Sequence, residues 1–142
     1  MPPTELWYLH PTKQCFTRQF TEPYQMFLGS SEAPMFIRGG TILPMMALPA
    51  QGSGDVKSLL QVYPRMEVNL ELFLDAEGTA EGMLYWDDGI TFNNNLKLER
   101  ALVLFRYDRD GLLSVTRMLD NSMSQFGVPV KIAGIEVYSR EQ

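Results

Sequence analysis

From Glu67 to Asp75 the chain alternates. Val68, Leu70, Leu72 and Leu74 fall on one side, Asn69, Glu71 and Asp75 on the other. Successive side chains of a strand point to opposite faces, so this pattern predicts a half-buried β-strand. One buried face has to be covered by another layer. No long helical pattern occurs elsewhere, so the covering layer is expected to be another sheet. The same period continues downstream. Ala76-Glu77-Gly78-Thr79 reads as a hairpin turn in which Gly78 takes positive φ, and Met83 to Trp86 as the return strand. Leu98 to Asp108 carries Ala101, Val103, Phe105 and Tyr107 on one face. Arg109-Asp110-Gly111 predicts a second hairpin turn, with Leu112 to Leu119 as the partner strand. Lys131 to Tyr138 is a last strand, interrupted by a bulge at Ala133-Gly134.

The first half is less regular. Leu6 to Leu9 and Phe16 to Phe20 predict a short hairpin around Pro11-Thr12-Lys13. Met35 to Ile37 and Thr41 to Leu43 are short strands bent by Arg38-Gly39-Gly40. Gln51 to Asp55 is a loop, Val56 to Tyr63 a short helix or strand, and Asn93-Asn94-Asn95 a polar turn. Short strands with Gly-rich turns predict an all-β, antiparallel β-sandwich of one or two small domains. Regular alternation starts after Pro64, so the expected division is 1–65 and 66–142.

Several function classes are excluded at this level. The 142 residues carry a net charge of −5, and the 12 Lys and Arg are scattered. Nucleic-acid binding needs clustered positive charge. No apolar run approaches the ~20 residues of a membrane helix. One cysteine, Cys15, and one histidine, His10, provide neither an internal disulfide nor a structural zinc site. The N-terminal Met1 to Trp7 lacks the basic and apolar regions of a signal peptide. No cofactor or metal is expected.

Two constellations carry possible chemistry. Trp86-Asp87-Asp88-Gly89 sets an aromatic beside paired carboxylates, which suits a sugar platform or a calcium ligand pair. The competing reading is a strand end, with Trp86 in the core and the Asp side chains bonded to backbone at a turn closed by Gly89. Adjacent Asp residues on a strand point apart, which disfavours a converging general acid and base. Arg38-Gly39-Gly40 suits either an anion contact or a sharp bend with Arg38 paired locally. The aromatics Trp7, Tyr8, Phe16, Phe20, Tyr24 and Phe27 are read as core or interface, with a carbohydrate patch as the alternative.

The order of these blocks resembles a known family. Leu6-Trp7-Tyr8 with its turn, Phe36 to Pro44 around Arg38-Gly39-Gly40, Leu74 to Gly82 around Gly78, and Leu84 to Gly89 occur in the order found after the catalytic barrel of glycoside hydrolase family 31, the α-glucosidases. The resemblance covers about residues 5 to 138 and is strongest to glucosidase II and maltase-type members. It implies the proximal and distal C-terminal β-sandwich region of an enzyme that releases terminal α-linked glucose by a retaining mechanism. That region would be truncated here relative to the family. A barrel needs ~200–250 residues, and the family's Trp-x-Asp-Met-Asn nucleophile motif is absent, so no catalytic residue is expected in this chain. The implied partners are an upstream catalytic barrel and a regulatory β-subunit. The alternative to a structural module is a free-standing carbohydrate-binding or subunit-contact β-domain, with carbohydrate binding resting on the aromatics and Trp86-Asp87-Asp88. Trp7, Phe36, Ile42 and Leu43 are the residues expected at the barrel interface. The implied compartment of a glucosidase II-like parent is the endoplasmic reticulum lumen.

Overall fold

The structure, a computed structural model, describes residues 5–10, 12–17, 33–47, 67–87, 100–120 and 131–140. The loop at Gln51 to Asp55, the segment Val56 to Tyr63, Asn93 to Asn95, Phe20, Tyr24, Phe27, Asp88 and Gly89 lie outside these residues.

All the regular structure described is β. The strands are β1 (Leu6–His10), β2 (Gln14–Thr17), β3 (Met35–Arg38), β4 (Thr41–Ala47), β5 (Glu67–Phe73), β6 (Ala80–Asp87), β7 (Arg100–Tyr107), β8 (Leu113–Asp120) and β9 (Lys131–Tyr138). They form a three-stranded sheet, β2-β1-β3, and a six-stranded sheet, β8-β7-β6-β4-β5-β9. The sheets make a sandwich-like arrangement.

The larger sheet is mixed. β4 runs parallel to β6 and β5 parallel to β9, whereas the sequence reading expected antiparallel pairing throughout. One cause is the position of β4. The turn after β5 does reverse the chain, but β5 and β6 do not pair with each other, because β4 lies between them. The expected turn at Ala76 to Thr79 is there, closed by the Asp75 N–H on the Thr79 carbonyl, but the strands it joins separate beyond it to admit β4. Alternation within one strand cannot reveal this, because both orders satisfy the same burial pattern. The two sheets part at Gly39-Gly40, where β3 gives way to β4. The larger sheet thus draws strands from both sides of residue 65.

Two apolar clusters hold the layers. In the first, Val68, Leu70 and Leu72 of β5 join Ile42, Trp86, Ala101, Val103 and Phe105, all buried. The second sits between the sheets: Leu6, Tyr8 and Ile37 of the small sheet close on Phe73 of the large one, with Leu43 and Tyr138 at its margin. The small sheet has too few residues for a core of its own. It borrows Phe73. The β9 bulge falls as expected, with Val68 facing Ile132 and Asn69 facing Gly134, so Ala133 is the extra residue.

Candidate functional site

Three of the four sequence blocks meet at one place, where β4 enters between β5 and β6. Gly39 donates its N–H to the Leu6 carbonyl at 2.8 Å, and Gly40 donates to the Phe73 carbonyl at 2.7 Å. The Glu81 N–H closes the other side on the Gly40 carbonyl at 3.0 Å. Backbones approach closely here. A Cβ on Gly39 would lie 2.8 Å from the Leu74 carbonyl oxygen, and one on Gly82 only 2.2 Å from that of Ile42. No side chain fits at that separation.

Tyr8 locks the junction from the small sheet. Its ring lies 5.3 Å from that of Phe73, and its hydroxyl donates to the Leu74 carbonyl at 2.7 Å. Burial and the neighbouring Cys15 push the phenol above the ordinary tyrosine range, so it stays protonated and donating. Asp75 organises the adjoining turn. Its carboxylate accepts from the Glu77 N–H at 3.0 Å, the Thr79 N–H at 2.7 Å and the Thr79 hydroxyl at 2.7 Å.

The residues singled out from sequence are distributed as follows. Arg38 is exposed and pairs with Glu5 at 2.5 Å. Gly39 and Gly40 are in the junction, while Gly78 occupies the turn beyond it with φ 77° and open space where a Cβ would stand. Trp86 is 3% exposed, inside the larger core. Asp87 ends β6 opposite Arg100. Of the four residues expected at an interface, Trp7, with its indole nitrogen buried, and the exposed Phe36 belong to the small sheet. Ile42 does not belong to such a set, because it faces Leu72 within the larger core. Leu43 packs against the second cluster. Among the described residues no three His, Cys, Asp or Glu converge to hold a metal, and no helix is long and apolar enough to cross a membrane.

The sequence reading missed the roles of Tyr8, Asp75 and Gly82. The available signal was their place inside the ordered blocks.

No family model matches the chain. An α-glucosidase of Schizosaccharomyces pombe, however, is 32% identical over 130 residues, which cover 91% of this chain and 12% of the relative. The chain is homologous to the α-glucosidases of glycoside hydrolase family 31. The same relationship is seen in the fold. A glucosidase II α subunit in its α3-Glc2-bound form superimposes with a TM-score of 0.74 at 19% identity, covering 96% of this chain and 14% of that one. An α-1,4-glucan lyase of Gracilariopsis lemaneiformis superimposes with a TM-score of 0.66 at 24% identity, covering 83% and 12%. The chain thus spans about an eighth of the length of these α-glucosidase relatives and neighbours, which are larger proteins.

Proposed function

We propose that this chain serves as a non-catalytic β-module of an α-glucosidase. It packs on an upstream catalytic barrel and shapes the substrate cleft from a distance. The parent reaction in this reading is hydrolysis of terminal α-linked glucose from oligosaccharides or N-glycans. The observation that carries the reading is the use made of the family-like residues. The Tyr8 hydroxyl, the Asp75 carboxylate and the backbones at Gly39, Gly40 and Gly82 are all engaged in holding the strands and the turn together. A glucosidase subunit and a lyase share this fold, which fits a region indifferent to the reaction performed.

The two-part division also stands as a proposal, with the small sheet as a proximal portion and most of the larger sheet as a distal one. Phe36, 44% exposed and edge-on to Phe16, gives the small sheet an apolar surface suited to the barrel. A β-subunit contact remains a secondary proposal. A free-standing carbohydrate-binding module has less support, since Trp86 has its ring inside the core and offers no face for stacking.

The test is an assay of the purified chain with p-nitrophenyl α-glucoside. No release of nitrophenol is expected. Release at a rate that survives repurification, with saturation kinetics, overturns the non-catalytic reading.

A further inference from the structure

One cluster borders the junction through Phe73 and has a charge at its centre. Lys13, in the turn between β1 and β2, reaches across to the larger sheet. Its Nζ lies 2.5 Å from Glu71 Oε2 of β5. The same nitrogen lies 5.2 Å from the centroid of the Phe73 ring and 5.0 Å from that of Tyr138 on β9. Those rings stack at 5.1 Å. The Lys13 and Glu71 side chains are only 18% and 16% exposed, so water screens the pair weakly. Glu71 also stands directly opposite Glu136, a like-charge pairing that destabilises adjacent strands. The Glu136 carboxylate accepts from the Tyr138 hydroxyl, and that of Glu71 accepts from Lys13. A single ammonium therefore answers one carboxylate of that pair and two aromatic faces at once. Lys13 sits at φ 62°, a conformation it holds with its own N–H bonded to the Leu9 carbonyl at 2.7 Å.

We propose that Lys13 is a charge latch: its ammonium docks the β1–β2 hairpin on the larger sheet, and neutralising it frees the hairpin while the larger sheet stays folded. The asymmetry follows from the cores. The larger sheet keeps its own cluster when the hairpin lifts, whereas the hairpin depends on Phe73. An acylating modification of this lysine would have the same effect as a neutral substitution. The inference does not depend on the α-glucosidase reading.

Hydrogen exchange on Lys13→Met and Lys13→Arg tests it. Lys, Met and Arg meet the same left-handed turn, so differences report the side-chain head. Lys13→Met is expected to speed exchange in β1 and β2 roughly tenfold, the scale set by a desolvated cation–π contact with an ion pair. β6 and β7 keep their protection, and Lys13→Arg stays near wild type. Unchanged exchange in Lys13→Met overturns the latch, as does acceleration shared by every strand. If Lys13→Met does not fold, Glu71→Gln carries the test. The same regional loss supports the latch, and an unchanged profile refutes it.

Discussion

At the scale of single residues, the tightest constraint lies at Gly82. An alanine there drives its Cβ against the Ile42 carbonyl, so we expect Gly82→Ala to lower stability by ~1–3 kcal/mol in urea unfolding. Gly78 has open space around it, and Gly78→Ala should lose ~1–2 kcal/mol through its left-handed backbone alone. Tyr8 offers a second handle. Removing its hydroxyl leaves the Leu74 carbonyl unsatisfied, and Tyr8→Phe should lose ~1–3 kcal/mol at neutral pH. Its raised pKa adds a pH dependence. An unfolded tyrosine ionises near pH ~10 while the folded one still holds its proton, so the native state binds more protons above that pH and stability falls as pH rises. Cys15 and Tyr138 are raised too and share that alkaline limb. Denaturant titrations from pH 8 upward should show a shallower decline in Tyr8→Phe than in wild type, and equal slopes would remove Tyr8 from the account. Little of this was legible beforehand. Tyr8 is one apolar residue in the continuous run Leu6 to Leu9, and its partner lies 66 residues away.

Elements were read more fully than their neighbours. Val68, Leu70 and Leu72 are buried as the alternation of β5 requires, and so are Ala101, Val103 and Phe105 on β7. The β7–β8 hairpin follows its Asp-Gly signal, because that signal is local. The placement of β4 was not legible. Its pairing with both β5 and β6 is decided by backbone proximity at Gly39, Gly40 and Gly82, and a sequence records such proximity only as glycines. The turn from Asp75 to Thr79 correspondingly joins strands that do not pair, and the Asp75 side chain adds to the backbone bonds that close it. Asp75→Ala removes three acceptor contacts and should cut stability by ~1–3 kcal/mol, with Asp75→Asn, which keeps one carbonyl acceptor, falling between it and wild type in thermal melts. Equal melting temperatures for the three proteins would show that the turn holds its shape without Asp75.

Across the whole molecule, the two sheets are unequal. The small sheet closes on Phe73, a residue of the larger one, so it cannot outlast it. In a Trp86→Phe background, Trp7 fluorescence should melt at or below the temperature of the far-ultraviolet transition, and a later Trp7 transition would give the small sheet independent stability. The slot filled by β4 has a further consequence for how the chain assembles. A simple β5–β6 hairpin, the fast local step available to most neighbouring strands, would close the gap that β4 must occupy. Three strands have to be gathered together, with β4 contributed from 20 or more positions upstream of β5. While the slot stands open, it offers unpaired backbone on both walls, and the β4 of another molecule fits it as well as the chain's own. Refolding at high concentration should therefore produce strand-exchanged dimers that dilution resolves only slowly.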